Sequence, residues 1–118
     1  MDERIRREYD DGKPVIVTFA DMTFSGEIYL DAGNCPIRVF QAESPHTDDS
    51  TLIFLPTENV LILGDSTGGT FPEWTMDQAL ANKLVDTIRN VDPEICLPGH
   101  CSALPTEIII QDLLAGNG

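Results

Sequence analysis

The chain is poor in histidine, in positive charge and in cysteine, and it has no long apolar run. Histidine occurs twice, at His46 and His100, so any site built on imidazole has to use one or both. Seven lysines and arginines stand against twenty aspartates and glutamates, a formal charge of −13. A surface this acidic repels phosphate backbones, which sets nucleic acid aside as a partner, and it favours the accumulation of cations. The three cysteines, Cys35, Cys96 and Cys101, are odd in number and show no repeated CxxC spacing. No disulfide framework is therefore expected, and a reducing cytoplasmic setting is. No apolar run approaches the roughly 20 residues of a membrane span. The opening MDERIRREYDDGK lacks the apolar stretch of a secretory signal.

What is present is a composition able to fold. At 118 residues with 42% apolar content the chain matches the size of one domain, 1–118, with a polar N-terminal segment over 1–13. Asp2–Tyr9 has room for a turn or two of helix before Asp11-Gly12 breaks it. Strands are predicted over Pro14–Phe19, Phe24–Leu30, Pro36–Phe40, Thr51–Leu55 and Val60–Leu63, from β-branched content, alternation and the turn residues between them. From Met76 to Val91 the period changes: Leu80, Leu84 and Ile88 recur at helical spacing beside Ala81 and Val85. Thr75 and Gln78 have the spacing of a capping box, and Asp92-Pro93 stops the helix. A short strand over Glu94–Leu97 and a last helix over Thr106–Ala115, opened by Pro105 and ended by Gly116, complete the chain. The expected class is α+β: a mixed sheet of about six strands, ending in helix, strand, helix.

This order brings three chemistry-bearing residues together. A hairpin of Thr51–Leu55 and Val60–Leu63 sets the loop carrying His46 beside Asp65, since paired strands lie about 4.8 Å apart. Val60–Leu63, the helix and Glu94–Leu97 form a βαβ unit whose strands run parallel. Asp65 and His100 then follow the carboxyl ends of the two strands, the edge at which open α/β sheets bind ligands. Two imidazoles and a carboxylate suit zinc, or iron in an arrangement with open positions; manganese is a further candidate. The bland alternative is three polar residues at strand ends.

The phrases PHTDDS (Pro45–Ser50), VLILGDSTGG (Val60–Gly69) and LPGH (Leu97–His100) resemble the C-terminal half of the metallo-β-lactamase superfamily, over about residues 14–115. The resemblance implies half of an αββα sandwich with a metal site at one sheet edge. It further implies that His46 is a ligand of a first metal, that Asp65 bridges two metals, and that His100 holds the second. Members of the family use the metals to activate water against esters, thioesters, amides or phosphoesters. The family's principal motif, HxHxDH, belongs to its N-terminal half and is absent here.

The chain therefore reads as the C-terminal half of a metal-dependent hydrolase: a natural half, a truncated piece or a degenerate relative. By itself it is expected to be inactive. A non-catalytic metal-binding or interaction module is the alternative. A half-sandwich leaves a sheet face open, so the expected partner is a second copy, as a homodimer, or a segment carrying HxHxDH. Around the site, Asp48 and Asp49 either orient the His46 ring or form a solvated acidic loop. Ser66 and Thr67 either line a substrate path or serve as turn residues. Trp74, with Phe71 and Pro72, forms a pocket rim or packs under the following helix. Ser50 has no imidazole at relay spacing other than His46.

Overall fold

A computed structural model describes residues 3–9 and 11–117. Nine elements follow in order: α1 (Glu3–Glu8), β1 (Glu27–Asp31), β2 (Pro36–Ala42), β3 (Ser50–Leu55), β4 (Val60–Gly64), α2 (Gln78–Val91), β5 (Ile95–Pro98), β6 (Leu104–Pro105) and α3 (Thr106–Leu114). Asp2, where the polar N-terminal helix was expected to begin, lies outside the described residues. The strands form one sheet in sequence order, antiparallel throughout except for the parallel β4–β5 pair.

Short-range chemistry makes the hairpins. Gly33 takes a left-handed φ of 81° between β1 and β2, and Asn59 takes one of 55° between β3 and β4. Both are residue types that tolerate that region. Parallel pairing of β4 with β5 needs a crossover, and α2 supplies it. The side chain of Asp77 accepts a hydrogen bond from the Leu80 N–H at 3.1 Å and starts that helix; Asp92, left-handed at φ 54°, ends it.

One sheet face is covered. Phe40, Ala42, Leu52, Leu61, Leu63 and Cys96 meet Ala81, Leu84, Val85 and Ile88 of α2 and Ile109, Ile110 and Leu113 of α3, and all are buried. A fully buried leucine such as Leu84 contributes about 1.5–3 kcal/mol relative to exposure. The other face is apolar, and no helix among the described residues packs on it. The pairing register aligns Ile28, Val39, Ile53, Ile62 and Leu97 in one row across five strands. The first four are half-buried, and Leu97 is 36% exposed. Val60 and Ile95 belong to the same face, and its strand positions carry no charge. The radius of gyration, 16.0 Å, exceeds the roughly 13.5 Å of a compact chain of this length.

Three expectations are corrected. Pro14–Phe19 is not a strand: it pairs with nothing among the described residues, and Ile16, Val17 and Phe19 are exposed. Strand preference expresses packing on a neighbour, and this segment has none. The helix cap is Asp77 rather than Thr75, whose backbone carbonyl instead accepts from the Thr70 N–H at 2.9 Å in a small bridge. The sixth strand is Leu104–Pro105, which is too short for periodicity to reveal and holds proline at the sheet edge.

Candidate functional site

His46, Asp65 and His100 gather at one edge because of strand direction. β4 and β5 run parallel and both end there, delivering Asp65 and His100; β3 starts there, and the loop before it carries His46. Nε2 of His100 lies 2.9 Å from Oδ1 of Asp65, and both side chains are exposed. Two glycines permit the approach. Gly64 has φ 56°, and its carbonyl accepts a 2.8 Å hydrogen bond from the Gly99 N–H.

His46 is half-buried in a loop held by Ser44, whose hydroxyl lies 2.7 Å from that of Ser50 and donates to the Thr47 carbonyl at 3.0 Å. Its Nδ1 lies 3.0 Å from the Gly69 carbonyl oxygen. A carbonyl only accepts, so Nδ1 carries the proton, and a neutral ring then keeps its lone pair on Nε2. The ring lies 6.0 Å from that of Trp74, within 2° of parallel. All three residues line one cavity of about 460 Å³, together with Gly64, Thr67, Gly68, Trp74, Pro98, Gly99 and Cys101.

The remaining candidates divide. Thr67 lines the cavity. Ser66 is buried at 2% exposure, and its hydroxyl has no hydrogen-bond partner among the described residues. Asp49 accepts a short hydrogen bond from the Thr47 hydroxyl, while the group that orients His46 is the Gly69 carbonyl. Asp48 is exposed. Ser50 is engaged with Ser44. Trp74 does not pack under α2; it is 60% exposed and forms part of the cavity wall. Sequence reasoning missed the role of Gly69. Its signal lies in TGGT: a β-carbon there would fall 2.1 Å from the Trp74 carbonyl oxygen.

As a metal site the arrangement is partial. The donor types are right, and the His46 tautomer leaves a free lone pair. Yet Nε2 of His100 and Oδ1 of Asp65 face each other directly. Among the described residues, no three His, Cys, Asp or Glu side chains form a group able to hold a metal ion.

No protein-family model and no curated protein matches the chain. Solved structures do. A metallo-β-lactamase from Pontibacter korlensis superposes with TM-score 0.64 at 17% identity, over 98% of this chain and 54% of that one. The DIM-1 metallo-β-lactamase gives 0.63 at 20% identity, over 97% and 53%. A structure described as the peroxy diiron species of the chemotaxis sensor ODP gives 0.59 at 12% identity, over 78% and 49%. The fold is thus that of part of a metallo-β-lactamase-type domain. The chain spans about half the length of these structures. Among the described residues no helix is long and apolar enough to cross a membrane.

Proposed function

We propose that this chain is the C-terminal half of a metal-dependent hydrolase site of the metallo-β-lactamase superfamily, completed by ligands from outside these residues. The observation that carries the reading is the 2.9 Å contact of Asp65 with His100, built from adjacent parallel strand ends in one cavity with His46. Those three side chains would supply part of the ligand set, the rest coming from outside these residues. Zinc is the first candidate from the donor types, with iron or manganese next. The chemistry such a metal supplies is activation of water near neutral pH and polarisation of the bond to be cleaved.

The chain's own residues position the donors. The Gly69 carbonyl holds the His46 ring in the tautomer a ligand needs. Gly64 and Gly99 bring Asp65 and His100 to one point. The indole of Trp74 forms part of the cavity wall. With its donor set incomplete, the chain by itself is not expected to turn over substrate.

The uncovered sheet face supports the partner reading. In the metallohydrolase reading it takes a second sheet, from the segment bearing HxHxDH. The same face favours a second reading, a non-catalytic module in which two copies pack face to face as an isologous homodimer.

Zinc titration of the purified chain tests the site. Saturable uptake is expected, lost in a His46→Ala, His100→Ala double variant; no uptake by the wild-type chain sinks the metal reading. Sedimentation separates the partners: self-association supports the homodimer, and a stable monomer at micromolar concentration counts against it.

A further inference from the structure

We infer that Trp74, braced by Phe71, is the substrate-side wall of the cavity and selects a molecule carrying a flat aromatic group next to the bond presented to His46, Asp65 and His100. The inference rests on the cavity being the substrate site and adds a substrate class to it.

The indole is exposed where a protein would normally bury it. Tryptophan is the largest apolar surface a chain possesses, and this chain has a single one, left 60% exposed. It is not left there by slackness. Trp74 takes a left-handed φ of 57°, a region bulky residues avoid. The segment is closed by the Thr70–Thr75 bridge, and the Thr70 hydroxyl donates to the Pro45 carbonyl of the His46 loop at 2.5 Å. Gly69 lies flush against the Trp74 carbonyl, where no side chain fits. Phe71 meets the indole edge-on at 5.4 Å between centroids. The backbone at Trp74 is thus held, and the ring lies edge-on to Phe71 with its plane parallel to that of His46.

The rest of the wall leaves the recognition to that ring. Gly64, Gly68 and Gly99 offer backbone alone, and Pro98 is small and apolar. The polar groups are His46, Asp65, Thr67, His100 and Cys101. A cavity of about 460 Å³ falls within the range that takes small molecules. An open indole beside the donor residues matches a planar ring in van der Waals contact, where aromatic pairing adds to simple burial. The acidic chain further favours a neutral ligand over an anion.

The probe is N-(2-naphthyl)acetamide, with N-(decahydro-2-naphthyl)acetamide, the same ten-carbon skeleton saturated and non-planar, as the control. Binding is read from the indole N–H resonance, which is unique in this chain, and by calorimetry for the variants. The naphthyl amide is expected to bind about three- to tenfold more tightly than the decahydronaphthyl amide. Trp74→Phe should keep most of that preference and Trp74→Ala should abolish it. Phe71→Ala should weaken naphthyl binding with the indole still present. Equal affinity of the two amides, or a Trp74→Ala variant that keeps the preference, overturns the inference. Zinc titration of the same samples keeps the two readings apart. Zinc uptake unchanged by Trp74→Ala, without a naphthyl preference, sinks the aromatic wall alone. A Trp74-dependent preference in a chain that takes up no zinc sinks the metallohydrolase reading alone.

Discussion

A β-carbon on residue 99 would stand 2.6 Å from Oδ1 of Asp65, and 3.1 and 3.2 Å from the backbone carbon and oxygen of Gly64. A side chain there would displace the Asp65 carboxylate from its place beside His100 and press on the Gly64 backbone. The closeness of the β4 and β5 ends, and with it the His100 contact, depends on that missing atom.

Gly99→Ala should push the Asp65 carboxylate aside and crowd the Gly64 backbone. The expected cost is about 1–3 kcal/mol in urea denaturation, as for other overpacked sites. The Asp65–His100 contact should break, seen as a changed chemical shift of the His100 ring by NMR. An unaltered ring shift at unaltered stability would show that the space is not limiting.

The helix cap separates the expected residue from the observed one. Asp77→Ala should cost about 1 kcal/mol, the usual loss of an N-cap side chain. Thr75→Ala should stay within about 0.5 kcal/mol, as an exposed substitution. Reversal of that order would return the cap to Thr75.

Burial pushes the Cys96 thiol above its ordinary value, slightly offset by its contact with the Thr106 hydroxyl. A raised pKa keeps the folded thiol neutral and unreactive. Iodoacetamide at neutral pH should label exposed Cys101 and spare Cys96 until the chain unfolds. The linked stability is fully present below the unfolded thiol's pKa and is lost as pH rises through the folded one. Mass spectrometry of the native, labelled protein decides.

Glu27 behaves in the opposite sense. The hydrogen bond from the Arg38 guanidinium, 2.7 Å to Oε2, holds its carboxyl below the usual value. Its contribution is present above the unfolded pKa and lost as pH falls through the folded one. Both groups are partly open to water, so the effect on stability is small. NMR titration should show the low value in the wild type and its return to the ordinary range in Arg38→Ala.

The open sheet face makes a further prediction. Ile62→Lys places a charge in the middle of the apolar row yet spares the face beneath the helices. It should cost the chain under about 1 kcal/mol and abolish association through that face, whichever sheet occupies it. Leu61→Lys, one residue away on the core side and fully buried, should unfold it. Sedimentation and circular dichroism distinguish the two.

Much of this was legible in the residues alone, because it is local. Period determined β2 to β4, α2 and α3; glycine, asparagine and proline determined the turns; strand direction alone put His46, Asp65 and His100 at one edge. What local pattern cannot supply is a neighbour. Pro14–Phe19 has the residues of a strand and no ladder to join, and Leu104–Pro105 is a strand only because β5 lies beside it. Likewise the Gly69 carbonyl orients His46, and Trp74 faces a cavity instead of packing under α2, because segments distant in sequence close around them. The sequence by itself determined which residues could carry the chemistry and on which edge they stand. The tertiary structure decided how far they actually meet: Asp65 and His100 in contact, His46 across the same cavity, since contact depends on backbone approach at Gly64 and Gly99 that no spacing rule encodes.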